Sequence, residues 1–170
     1  ARVGFKDIPG VDPRSAGKGA AARFLEEVRR VDALCYVARA FTAPEVPAYF
    51  DALAPLREFH EMFAEILLAD IMLVERRLER LRNEKKATRQ AEVVFLQRCL
   101  ETLSEEKPLR EVAKSSGEEA LLAGYGFLSL KPVVLAVNVD EEGLRGDYPQ
   151  REALQRYAAE QGIPVVAINV

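Results

Sequence analysis

Two runs of branched apolar side chains constrain this chain more than any other feature. Leu67, Ile71, Val74, Leu78 and Leu81 recur at spacings of four, three, four and three, and Val93, Leu96, Leu100 and Leu103 at three, four and three. Such spacing keeps a narrow apolar stripe on one side of an α-helix, and a stripe that narrow wants a partner helix. The polar stretch from Asn83 to Arg89 supplies a turn, so the second stripe can satisfy the first within one chain. The pattern predicts a long helix from about Leu56 to Lys86, a second helix over Val93 to Leu103, and an antiparallel hairpin closed by Pro108. A zipper between two chains is the alternative reading of the same leucines.

The flanks follow a different period. Arg2 to Lys6 alternates Val3 and Phe5 with Arg2, Gly4 and Lys6, which reads as a short strand, and Pro9-Gly10 ends it in a turn. Asp7, three residues before Gly10, is a phosphate-and-metal arrangement: a carboxylate that can hold Mg²⁺ through water, and a glycine that brings an N–H against a phosphate. By itself D-x-x-G is weak, and a plain strand and turn explains it as well. Gly17-Lys18 does not rescue a phosphate-binding loop, since G-x-x-x-x-G-K-[ST] would need Gly where Asp12 stands and a hydroxyl where Gly19 stands. A short helix is expected from Ala20 to Arg30, with Phe24, Leu25 and Val28 on one face.

Asp32 to Arg39 and Val133 to Val137 are nearly continuous apolar runs, the pattern of strands buried on both faces of a parallel sheet. The second run delivers Asn138 at its carboxyl end, where ligands sit in open α/β sheets. An amide there can hydrogen-bond a purine edge, and the carboxylate of Glu141 can take a ring N–H or amino group. A helical stretch from Glu118 to Leu128 broken by Gly124 and Gly126, a helix from Pro149 to Gln161 and a last strand from Ile163 to Ile168 complete the alternation.

Composition narrows the classes. The 170 residues fit one domain with an insertion, and folding buries roughly 70% of the extended-chain surface. An apolar share of 49% and a charged share of 30% are those of a soluble globular protein, with no run long enough to cross a bilayer. Cys35 and Cys99 lack C-x-x-C spacing and read as thiols of a reducing cytoplasm. His60-Glu61 begins an H-E-x-x-H pattern, but Ala64 stands where the second ligand belongs, and there is one histidine in all, so no zinc site is expected. Met62, Phe63, Ile66 and Leu68 are expected to pack. A formal charge of −3 argues against a wholesale nucleic-acid coat. It leaves room for a local patch, and Arg76, Arg77, Arg80, Arg82, Lys85, Lys86 and Arg89 cluster at the hairpin tip against Glu75, Glu79 and Glu84. Either that is a solvated face of i,i+4 pairs, or it docks an anionic partner such as RNA.

Taken together these parts resemble the YchF subfamily of Obg-like P-loop GTPases and ATPases. Asp7-Ile8-Pro9-Gly10 looks like the D-I-A-G of its switch II region. Leu68-Ala69-Asp70 with Val74 to Leu81 looks like L-A-D-x-x-x-x-E-[KR]-R-L-E-[KR]-L, Glu106 to Arg110 is similar to E-G-K-P-A-R, and Lys131-Pro132 through Glu141 is similar to K-P-x-x-Y-x-x-N-x-x-E. The resemblance implies an α/β fold: part of a Ras-like NTPase domain with a mostly parallel sheet, residues 1–54 and 117–170, interrupted by a coiled-coil-like helical hairpin over 55–116. It implies a cytoplasmic, ribosome-associated protein that binds and hydrolyses GTP or ATP with Mg²⁺. Asn138, Val139, Glu141 and Asn169 would stand at the base, and Asp7 and Gly10 at the phosphate and Mg²⁺, with Asp7 holding the metal through water. Val139 and Glu141 replace the Lys and Asp of N-K-x-D, the subfamily pattern associated with accepting adenine, and Val11 stands where Ras-like proteins carry a water-orienting glutamine. The chain contains neither the phosphate-binding loop nor the TGS domain, so it reads as a fragment. A non-catalytic module whose hairpin docks to a protein or RNA is the alternative.

Overall fold

The computed structural model describes residues 3–8, 18–43, 52–83 and 89–170. Gly10, Val11, Lys85 and Lys86 lie outside them. The chain divides into two compact units, one of Ala1–Phe63 with Pro132–Val170 and one of Ala64–Lys131.

The first unit is built on a parallel sheet of three strands in the order β1-β2-β3, with β1 Leu34–Arg39, β2 Val133–Asn138 and β3 Val165–Ile168. Leu34 pairs with Val133 and Arg39 with Asn138, while Leu135 pairs with Val165 and Asn138 with Ile168. Partners in register share a face, so Tyr36, Leu135 and Val165 point one way and Val37, Ala136 and Val166 the other. The first face is covered. Tyr36 meets Phe59 of α2 (Pro55–Asn83) at 5.4 Å between ring centroids, and Phe59 meets Tyr157 of α6 (Arg151–Glu160) edge-on at 6.1 Å. Leu154 and Ala158 of α6 are fully buried with Leu135 and Val137.

The opposite face corrects one expectation. The two runs read as buried on both faces are not: Val37 is 55% exposed and Val134 38%, and Cys35 is exposed. An apolar run reports high strand propensity and at least one buried face, and the second face has to be read from what lies over it. Residues 3–8 correct another. They form no strand, and Val3 and Phe5 are 78% and 96% exposed. Alternation alone does not make a strand without a partner to close the ladder. α1 (Lys18–Arg29) buries Val28, and its Glu27 takes the Lys6 ammonium.

The second unit is helical. Beyond Phe63, α2 continues to Asn83, and α3 (Gln90–Ser104) returns after the connection. Leu67, Val74, Leu78 and Leu81 are buried, as are Phe95, Leu96, Cys99 and Leu103, which bears out the stripes at most positions. Ile71, Val93 and Leu100 are half-buried, Leu68 is exposed rather than packed, and Ile66, Phe95 and Cys99 widen the core beyond the seam. Burial pushes the Cys99 thiol up to about 11. α4 (Ser116–Tyr125) is N-capped by Ser115, whose hydroxyl accepts from Glu118 N, and ends at Gly126 with φ +63°, the left-handed stop that glycine adopts without a Cβ penalty.

Asp70 holds this unit together from within. It is fully buried in α2, and its Oδ1 and Oδ2 accept the N–H groups of Leu128 at 2.9 Å and Ser129 at 2.8 Å. Those are orphan donors at the start of a 3₁₀ turn, Leu128–Leu130. A second polar knot joins α2, α3 and α4. Arg77 donates from Nε and Nη2 to Glu92 Oε1 at 2.9 and 2.7 Å, and the Tyr125 hydroxyl donates to the same oxygen. Burial pushes the Glu92 carboxyl up, and the two donors more than offset this, leaving it below its ordinary value.

Candidate functional site

The site expected from sequence lies where β2 and β3 end. Asn138 closes β2, and its backbone oxygen accepts Ala40 N at 2.8 Å. Its side-chain Oδ1 accepts Val170 N at 3.3 Å. Reciprocally, Asn169 Nδ2 donates to Val139 O at 2.8 Å, and Val139 N donates to Ile168 O at 2.9 Å. Two asparagines thus cross-tie the chain just past the strands, where ladder bonds stop and peptide groups would otherwise need water.

Asp140 then starts α5 (Glu141–Arg145) by capping, its Oδ1 accepting Gly143 N at 2.7 Å. Gly143 suits the close approach there: a Cβ would be crowded, at 3.0 Å from Val139 Cβ and 3.2 Å from Asp140 Oδ1. Glu141 is the first residue of α5 and exposed, a carboxylate on the positive end of the helix backbone. Val139, by contrast, is 1% exposed.

The structure therefore brings Asn138, Val139 and Asn169 into one hydrogen-bonded cluster with Glu141 two residues beyond it. Asp7 is exposed, and no hydrogen bond among the described residues joins it to that cluster. Mg²⁺ keeps several waters and takes few protein ligands beside phosphate oxygens, so one exposed carboxylate such as that of Asp7 is of the donor type it uses. Among the described residues no group of three or more His, Cys, Asp or Glu could hold a metal by itself, and no helix is long and apolar enough to cross a membrane.

Sequence reasoning missed the neighbours. Arg39 ends β1 in register with Asn138; its Nε donates to Phe41 O at 3.0 Å and its guanidinium lies 4.9 Å over the Phe41 ring. Glu58, at the start of α2, is 7% exposed, and burial raises its carboxyl although the Arg39 backbone and charge partly offset this. An arginine closing an apolar run was the available signal. At the hairpin, Arg76, Arg80 and Arg82 are exposed and Arg89 is half-buried, whereas Arg77 is held by Glu92 rather than solvated.

No protein-family model matches the chain. In sequence it is similar to the ribosome-binding ATPase YchF of Escherichia coli O157:H7, 30% identical over 168 residues, and to that of Bacillus subtilis (strain 168), 29% identical over 170; each match covers 96% of this chain and 46% of the relative. In fold it is similar to the solved YchF GTPase of Schizosaccharomyces pombe, with a TM-score of 0.77 and 26% identity over 92% of this chain and 45% of that one. The chain spans just under half the length of these relatives. Sequence and fold comparisons agree: over nearly its whole length the chain is similar to YchF proteins.

Proposed function

We propose that this chain is a segment of a ribosome-associated, cytoplasmic protein that binds and hydrolyses GTP or ATP, and that Asn138, Val139, Glu141 and Asn169 form its base-end site. The cross-tie of Asn138 to Val170 and of Asn169 to Val139 carries the reading, because it makes a polar floor at the carboxyl end of the sheet. With its Oδ1 already accepting a backbone N–H, Asn138 has its Nδ2 donors left for a purine acceptor. Glu141 supplies the acceptor for a ring N–H or amino group. Val139, being buried, shapes the floor from beneath. Asp7 and Gly10 serve the phosphate side, Asp7 holding Mg²⁺ through water, and the bound ion supplies charge neutralisation of the phosphates.

Nucleotide affinity in such sites comes largely from the backbone cradle of the phosphate-binding loop, whose pattern this sequence lacks. Calorimetry with Mg-ATP and Mg-GTP should therefore find weak binding to the 170-residue chain and tighter binding to a longer form carrying the upstream residues. In that longer form Glu141→Gln should change the ATP-to-GTP ratio by about tenfold, the scale of one lost polar contact to a base. An unchanged ratio, or micromolar binding by the short chain, would overturn the assignment.

A second reading rests on a separate observation, the exposed Arg76, Arg80 and Arg82 on the distal part of α2. In it the coiled-coil-like hairpin, residues 55–116, is a docking arm whose tip meets ribosomal RNA between the two NTPase parts of the sequence, 1–54 and 117–170. Co-sedimentation with ribosomes at two salt concentrations tests it: reversing Arg76, Arg80 and Arg82 to Glu should weaken binding and flatten its salt dependence.

A further inference from the structure

β3 is an outer strand of the sheet. Pro164 O accepts Leu135 N, and Ile168 O accepts Val139 N, each at 2.9 Å. Alternation along a strand then turns Pro164, Val166 and Ile168 toward β2, and turns the N–H and C=O groups of Val165 and Ala167 toward the outer edge. Among the described residues no strand pairs with that edge. An open groove of about 380 Å³ runs along it, lined by Val165, Ala167, Leu144, Arg145, Tyr148 and Arg151 among others. Leu144 is 51% exposed, an apolar contact offered to the groove. Arg151 is anchored by donating to Gly146 O and lies 5.7 Å over the Tyr148 ring, so its charge stays at the groove. Arg145 is exposed at the last turn of α5. Of the acids nearby, Asp147 has an oxygen engaged by Tyr148 N at 2.9 Å, and Glu142 and Glu152 do not line the groove.

We propose that this groove takes an extended acidic peptide, which adds to the sheet as a fourth strand. Its backbone would pair with Val165 and Ala167, its carboxylates would meet Arg145 and Arg151, and its apolar side chains would lie on Leu144 and Val166. Main-chain pairing of this kind supplies affinity while the flanking pockets choose the side chains. Charge decides the occupant. A second copy docked edge to edge would set Arg145 and Arg151 against the same pair, which costs affinity.

The test uses the 170-residue chain and a fluorescein-labelled probe, acetyl-Glu-Val-Glu-Val-Glu-Val-amide, against its counterpart with Lys in place of Glu. The acidic probe should raise anisotropy in a salt-sensitive way, the basic one should not, and the Val165 and Ala167 amides should gain protection from exchange. Arg145→Glu should weaken binding at least tenfold. Ala167→Pro removes an outward donor without removing a ladder bond, and should do the same. Arg145→Glu decides the matter should the proline variant fail to fold. Equal binding of the two probes, no binding of the acidic probe at millimolar concentration, unchanged affinity of Arg145→Glu, or a dimer in sedimentation that Arg145→Glu does not weaken would each overturn the proposal.

Discussion

Asp70 in the helical unit and Asn169 in the sheet unit both commit a side chain to backbone groups, but under different conditions. Asp70 is sealed from water and answers two N–H groups at once, whereas Asn169 is exposed and answers one carbonyl. A buried acceptor has no substitute when it is removed, and an exposed donor can be replaced by water. The helical unit is thus fixed by its polar groups. At the strand ends the polar groups hold shape while staying within reach of solvent, which is what a ligand-binding rim needs.

The sharpest way to break this contrast is Asp70→Ala. Two buried donors at Leu128 and Ser129 would lose their acceptor, and at about 1–3 kcal/mol for each unsatisfied group the variant should lose roughly 2–6 kcal/mol, measured by urea unfolding. Asp70→Asn should fall between the two, since an amide offers one acceptor oxygen where the carboxylate offers two. A loss below about 1 kcal/mol for the alanine variant would mean that water reaches the 3₁₀ turn and that the two regions do not differ.

Asn169→Ala should cost less, about 0.5–1.5 kcal/mol, because it leaves one carbonyl without its donor where Asp70→Ala leaves two N–H groups without their acceptor. Its greater effect should be local, read as faster amide exchange at Val139 and Val170 with the helical unit unmoved. A cost as large as that of Asp70→Ala would show the cross-tie to be as closed to solvent as the Asp70 clamp.

The same contrast marks what was legible in the sequence. Leu67, Val74, Leu78 and Leu81 and their counterparts Leu96 and Leu103 were readable because helical period and burial coincide there. β2 and the position of Asn138 were readable for a similar reason, an apolar run ending in a polar residue. Residues 3–8 misled because alternation records which face could be buried, and pairing is a property of the partner. Cys35, Val37 and Val134 misled in the opposite sense, since an apolar run looks alike whether one face is covered or two. Asp70 entered the reading as one letter of a motif. Its position between Leu67 and Val74, on the buried side of a helix, was a signal that it had a buried partner, but that partner lies 58 residues away and spacing within the helix does not name it. Arg77 was grouped with solvated cations for the same reason, its partner Glu92 belonging to the next helix.

The smallest expected effect sharpens the contrast from the sheet side. Glu58 is a buried carboxylate like Asp70 but has a different balance: burial raises it above its ordinary value of 4.5, and the Arg39 backbone and charge recover only part of that. A carboxyl raised in the folded state binds its proton more tightly there than in the unfolded chain. Folding is therefore favoured at low pH, and that contribution is lost as pH climbs from the ordinary value through the raised one. At neutral pH the ionised Glu58 opposes folding, so Glu58→Gln should stabilise the protein slightly at pH 7, and should flatten the fall in stability between mildly acidic and neutral pH. Thermal melts of both proteins across that range measure it. If Glu58→Gln is instead less stable at pH 7 and equal at low pH, the carboxylate is held in its charged form by Arg39, and the sheet unit would contain a clamp of the same kind as Asp70.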